Sequence, residues 1–224
     1  PLKIMTGRLK YCNKIKDVII CTTRLLEDNR IVKFCKKENI KFYRGSKNDV
    51  LSRYYETAKK FKSEIIVRVT SDCPLVDYRI INNMLNTFLK SNIDYYANTY
   101  PLPTMYPDGM DIEIFNFSTL KITNKKAILP SEREHVTPYL RNNCDFNGGK
   151  LFKAANYPSP ADYNNVRMTV DEPEDLEMMR WLIKKLGTDK TWIEYTRFVL
   201  ENNKRLGNTD IVRNEGYLKS INDN

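Results

Sequence analysis

Residues 65–77 read Ile65-Ile66-Val67-Arg68-Val69-Thr70-Ser71-Asp72-Cys73-Pro74-Leu75-Val76-Asp77. The first six are almost all β-branched and apolar, the composition of a strand buried on both faces. Pro74 then closes the strand, because it has no N–H for a ladder and biases Cys73 away from the helical region. Beyond it, Ile80, Ile81, Met84, Leu85 and Phe88 fall at helical spacing. A buried strand that feeds an amphipathic helix is the repeating unit of an α/β protein.

The same alternation extends toward the N-terminus. Val18-Ile19-Ile20-Cys21-Thr22-Thr23 and Ile40-Lys41-Phe42-Tyr43-Arg44 predict strands. Leu2, Met5, Leu9 and Cys12 share one helical face, Ile31 to Cys35 mark a short helix, and Val50 to Phe61 repeat at helical spacing. The fold class is therefore α/β, with a parallel sheet covered on both faces.

Past residue 90 the pattern changes. Tyr95-Tyr96-Ala97-Asn98 predicts a short strand, and the proline-rich run from Tyr100 ends in a turn at Asp108-Gly109. Asp111 to Phe117 alternates as a strand, with Ile112 and Ile114 on one face. Ser131-Glu132-Arg133-Glu134 has the form of a capping box before a helix that Pro138 ends or kinks. Val166 to Val170 predicts another strand, Asp171 to Leu186 a helix stopped by Gly187, and Thr191 to Asn203 a last helix.

Composition narrows the function. The 224 residues suit one large domain, and 37 basic against 28 acidic side chains leave a net charge of +9. The lysines occur singly or in pairs such as Lys36-Lys37 and Lys184-Lys185, with no arginine-rich arm or zinc finger, so a nucleic-acid partner is not expected. A positive field of this kind suits a small polyanion such as a nucleotide triphosphate. No run approaches the roughly 20 apolar residues of a membrane-spanning helix. Pro1-Leu2-Lys3-Ile4 opens amphipathic sequence rather than a secretory signal core. Five cysteines without a Cys-x-x-Cys pair, and the lone His135, argue against a disulfide framework and a structural zinc site. A cytoplasmic location is the expectation.

Two aspartates occupy comparable places. Asp72 follows the apolar run 65–70 and Asp171 follows 166–170, and each precedes a proline and a helix. In open α/β sheets, ligands bind beyond the carboxyl ends of the strands. Two hard carboxylates meeting there are what Mg²⁺ needs when it also holds phosphates. The competing reading is that each aspartate caps the helix after it.

The segment Val67 to Asp77 resembles the central motif of the sugar-acid cytidylyltransferases. Further segments are similar to the spore-coat polysaccharide SpsF branch of that family: Arg44-Gly45-Ser46 through Asp49-Val50-Leu51, Pro107 to Glu113, Ser131 to Tyr139, Arg167 to Asp175, and Arg213 to Ser220. The resemblance implies a nucleotide-diphospho-sugar transferase fold, a Rossmann-like GT-A type three-layer sandwich with a mostly parallel sheet. It also implies transfer of CMP from CTP to a sugar acid or related sugar, with pyrophosphate leaving.

By the same resemblance, Asp72 and Asp171 are the catalytic, Mg²⁺-holding pair. Arg44, Ser46 and Asp49 lie on the nucleotide side, and Asp108, Asp111, Glu113, Arg133, His135 and Arg167 on the acceptor side. From the residues themselves, Ser46 or Asp49 equally well starts the helix at Val50, Arg44 pairs a surface acid, Asp108-Gly109 is only a turn, and His135 is a core histidine. Trp181 and Trp192 read as helix-packing residues. Family members open with a strand and a Gly/Arg/Lys loop that cradles the triphosphate. Pro1-Leu2 matches the helix after that loop, so those residues are expected upstream of residue 1. The organisation expected is a nucleotidyltransferase domain over 1–187 and a helical tail over 188–224, in a homodimer. The rival readings are a glycosyltransferase of the same fold, for which no Asp-x-Asp follows a strand, and a non-catalytic nucleotide- or RNA-binding domain.

Overall fold

Strands and helices alternate from the start of the chain, as the periodicity predicts. In order they are α1 (Leu2–Leu9), β1 (Ile19–Thr23), α2 (Asn29–Lys37), β2 (Lys41–Gly45), α3 (Val50–Lys60), β3 (Ile65–Arg68), α4 (Tyr78–Phe88), β4 (Tyr95–Ala97), β5 (Glu113–Asn116), α5 (Phe117–Lys126), α6 (Pro130–His135), α7 (Pro138–Asn142), β6 (Ala154–Asn156), α8 (Pro173–Leu186) and α9 (Trp192–Glu201). The computed structural model describes residues 1–100 and 104–202, so the motif Arg213 to Ser220 lies outside the described residues.

The strands form two sheets. β1 and β2 pair in parallel, and a second sheet has the order β3-β5-β4-β6. β5 runs antiparallel to both neighbours, while β4 and β6 are parallel. Three of the four strands of the larger sheet therefore point the same way and β5 alone runs against them, the mostly parallel arrangement that was expected. β5 returns antiparallel to β4: a parallel return needs a crossover, and the described part of the β4–β5 connection holds no helix. Helix α3 bridges the two sheets. Cys21 Sγ of β1 donates to Thr57 Oγ1 (3.3 Å), and the Arg68 guanidinium of β3 lies 5.9 Å from the centre of the Tyr54 ring.

Alternate residues of the larger sheet face opposite cores, as the two-residue strand period requires. Tyr96, Ile112 and Ile114 pack with Met5, Ile81, Met84, Met179, Leu182 and Tyr195 from α1, α4, α8 and α9. Tyr95 and Phe115 pack with Leu51, Leu120 and Leu140 from α3, α5 and α7. Helices cover both faces, which completes the three layers. The described part of the C-terminal segment shares the first core, and Asp77 accepts from the Trp192 N–H at the start of α9 (2.8 Å).

Two local expectations need correction. Residues 166–170 do not form a strand. They run extended beside residue 108, joined by a single parallel bridge between Asp108 and Arg167. Ser131 is not a helix cap, because Pro130 at the first helical position moves the cap back to Leu129. Glu132 performs the reciprocal half of the capping, its Oε2 accepting from the Ile128 and Leu129 N–H groups (2.9 and 3.1 Å).

Candidate active site

Asp72 stands four residues beyond β3, and helix α4 is capped instead by Asp77, whose Oδ1 accepts from Arg79 N (2.9 Å). Helix α8 begins at Pro173 with Glu172 as its cap, and Asp175 Oδ2 accepts from the Asp171 and Glu172 N–H groups (3.0 Å each). Capping therefore consumes neither Asp72 nor Asp171.

The backbone then joins their segments. Val170 N donates to the Asp72 carbonyl (2.9 Å), and Thr169 Oγ1 donates to the same oxygen (3.2 Å). Partial burial and the neighbouring Asp72 charge push the Asp171 carboxyl up, against the pull of Arg167. Burial, then Asp72, Asp111 and Asp108, push the Cys73 thiol well above its ordinary range. The bonds to the Asp72 carbonyl, with the bridge between Asp108 and Arg167, bring residues 72, 108 and 171 together along one edge beyond the carboxyl end of β3.

Arg167 binds that edge together. It donates from Nε and NH2 to both oxygens of Asp175 (2.9 and 2.7 Å), from NH1 to Asp108 Oδ2 (2.8 Å) and from NH2 to Asp171 Oδ2 (2.8 Å). Gly109 makes the close approach feasible. At φ +101° a Cβ there would meet the Met168 carbonyl oxygen at 2.4 Å, so only glycine lets residue 108 lie against residue 167.

Other predicted residues are engaged elsewhere. Glu113 points into the second core, where its buried carboxylate accepts from Arg68 NH1 and from Tyr95 Oη (2.6 Å). Burial opposes its ionisation, but Arg68, Arg141 and the Tyr95 hydroxyl outweigh burial and hold its pKa below the usual range. His135 is half-buried nearby. Burial lowers its pKa, Glu134 opposes this, and Arg68 and Arg141 lower it further. The next residue, Val136, has φ +72° and ψ −52°, and Thr137 N donates across it to the His135 carbonyl (2.8 Å). That is a strained γ-turn on a β-branched residue.

Arg133 does bind a carboxylate through two nitrogens, but the carboxylate belongs to Asp49. Nε donates to Oδ1 (3.0 Å) and NH2 to Oδ2 (2.6 Å), and NH1 reaches the Asn124 carbonyl (2.8 Å). Asp49 also caps α3 by accepting from Ser52 N (2.8 Å). Ser46 Oγ accepts from Asp49 N (3.1 Å). Arg44 spends its nitrogens on Thr23 O, Leu25 O and Asn29 Oδ1 (2.8 Å each), clamping the loop after β1. Trp181 packs on Phe198 at 5.3 Å, and Trp192 on Tyr106 at 4.9 Å.

The structure also brings forward residues that motif reading passed over. Asp175 was legible as the third helical residue after Glu172-Pro173, a capping position. Arg68, Tyr95 and Arg141 were not, because only strand register and helix packing bring them to Glu113.

The metal-holding capacity of the edge is limited. Among the described residues, no group of three or more His, Cys, Asp or Glu side chains is arranged to hold a metal ion. Two carboxylates suffice for Mg²⁺ when phosphate and water supply the other oxygens. Asp171 Oδ1 accepts no hydrogen bond among the described residues, so the donor set fits that mode.

The larger sheet covered on both faces, with two carboxylate-bearing segments joined beyond the end of β3, is the α/β setting in which ligands bind at strand ends. The chain belongs to the cytidylyltransferase family, whose sequence pattern it matches over residues 2–214. It is 33% identical over 220 residues to an uncharacterized protein of Methanocaldococcus jannaschii, covering 96% of this chain and 86% of that protein. It is 29% identical over 193 residues to the spore coat polysaccharide biosynthesis protein SpsF of Bacillus subtilis, covering 83% and 76% of the two chains. A solved cytidylyltransferase from Leptospira borgpetersenii superposes with a TM-score of 0.85 at 32% identity, covering 95% of this chain and 87% of that one. The CMP:2-keto-3-deoxy-manno-octonic acid synthetase solved with CTP shares the fold, with a TM-score of 0.53 at 14% identity over 82% of this chain and 87% of that one.

Proposed function

We propose that this nucleotidyltransferase transfers CMP from CTP to an oxygen of a sugar acid or related sugar, and that the product serves surface-glycan synthesis. The observation that carries the reading is the meeting of Asp72 and Asp171 at one sheet edge, with capping assigned to Asp77, Glu172 and Asp175. In the reaction an acceptor oxygen attacks the α-phosphorus, the bond to the β-phosphate bridging oxygen breaks, and pyrophosphate leaves while the acceptor proton passes to solvent. Asp72 and Asp171 would hold Mg²⁺, which when bound supplies neutralisation of phosphate charge. The chain's own task is alignment, since phosphoryl-type transfer asks little covalent chemistry of the protein. Asp111, between Gly109 and β5 in the chain, is assigned to the acceptor's hydroxyl or amino groups.

The test is incubation of the full-length protein with CTP, Mg²⁺ and a panel of sugar acids, with pyrophosphate release as the readout. Release that depends on both CTP and one acceptor is expected. Silence with every acceptor, together with binding of a UDP- or GDP-sugar, would move the protein to the glycosyltransferases.

A further inference from the structure

Arg167 divides one guanidinium among three carboxylates from two separate segments, Asp108 before β5 and Asp171 and Asp175 at the start of α8. Its side chain is only 9% exposed, and that of Asp175 is fully buried. Asp175 is itself fixed, because two backbone N–H groups donate to it. Rigidity therefore passes outward, from the helix start to Asp175, to the planar guanidinium, and then to two carboxylates nearer the surface. Asp171, at 48% side-chain exposure, uses Oδ2 on Arg167 and leaves Oδ1 without a hydrogen bond among the described residues.

We propose that Arg167 is the positioning residue of the carboxylate edge: it anchors Asp171 through Oδ2 so that Oδ1 is presented beside Asp72 to a divalent cation, and it does not bind the acceptor. This rests on the cation reading above. An exposed carboxylate on a loop is free about two side-chain torsions, and a planar two-pronged donor removes that freedom in a way a point charge cannot. With its nitrogens on Asp108, Asp171 and Asp175, Arg167 has little left for a substrate.

Charge and positioning predict opposite signs when Arg167 is changed. Removing a positive charge beside Asp171 makes the edge more negative, and Coulomb attraction alone would then tighten a cation. Loss of positioning weakens it. The experiment is Mn²⁺ binding to the nucleotide-free full-length protein, read by electron paramagnetic resonance of the free ion. It compares wild type, Asp171→Asn, Arg167→Lys and Arg167→Met, each checked for folding by circular dichroism.

Both Arg167 variants are expected to weaken Mn²⁺ binding about tenfold, the scale for losing a group that orients a metal ligand. They should also lower kcat while the acceptor KM stays within about twofold. Arg167→Lys keeps the charge and carries the test if Arg167→Met does not fold. Unchanged or tighter Mn²⁺ binding in folded Arg167→Lys would overturn the proposal, as would a raised acceptor KM at unaltered kcat. Wild-type Mn²⁺ affinity in Asp171→Asn would instead overturn the cation reading itself.

Discussion

Two charged clusters lie on neighbouring parts of the sheet and are built to opposite plans. Around Glu113 the charges are closed off: the carboxylate is buried, bonded by Arg68 and Tyr95, and held ionised by that company. Around Arg167 the outermost carboxylate stays open, Asp171 keeping 48% side-chain exposure. Asp108, Asp171 and Asp175 share one guanidinium, and Asp72, joined through its carbonyl to Val170, adds further negative charge. A buried carboxylate bonded from neighbouring strands holds elements in register, although Arg68 Nε there has no hydrogen-bond partner among the described residues. An acidic edge left partly unneutralised carries a standing electrostatic cost that a bound cation would relieve. That contrast separates a cluster buried within the sheet from one that keeps a half-exposed carboxylate, Asp171, at its rim.

The comparison can be broken by mutation. The largest effect is expected for Arg68→Met, which strands a buried carboxylate and should cost about 3–5 kcal/mol in urea unfolding. The same cluster has a pH signature. The Glu113 pKa is lower in the folded chain than its ordinary value, so its contribution is present above the unfolded pKa and lost as pH falls through the folded one. Glu113→Gln should flatten stability below the ordinary glutamate range, and an unchanged acid profile would show that the pair is not what holds the fold there.

Asp72→Asn and Asp171→Asn should behave in the reverse way. Turnover should fall by about 10²–10³-fold, roughly 2.7–4 kcal/mol of transition-state stabilisation. The unfolding midpoint should stay near that of wild type, because neither carboxylate caps a helix. A variant with near-normal turnover would remove that aspartate from the site.

Arg133→Met sharpens the comparison further. Its partner Asp49 is part-exposed, so about 1 kcal/mol of stability should be lost. The acceptor KM should not move, and a raised KM would return Arg133 to the substrate. The smallest effect belongs to Lys41→Ala, outside both clusters. Its exposed pair with Asp17 should contribute less than about 0.5 kcal/mol by thermal melting.

Much of this was legible along the chain. The strand at residue 65, the helix at 78 and the paired placement of Asp72 and Asp171 all follow from runs of six to twelve residues, where periodicity and proline chemistry act locally. What the chain alone does not show is a partner distant in sequence. Arg133 and Asp49 each look like a substrate ligand on their own, and packing of α6 against α3 makes each the other's counter-ion. Glu113 looks like an acceptor contact until the register opposite Arg68 turns it into the core.

Sequence alone determined the α/β class and the comparable placement of Asp72 and Asp171, each after an apolar run and before a proline-led helix, because backbone propensity, hydrophobic period and motif order are properties of neighbouring residues. Tertiary structure alone decided which charges are spent and which are available. A carboxylate's fate depends on the donors within about 3 Å of it, and for Glu113, Asp49 and Asp108 those donors come from chain segments that only folding brings together.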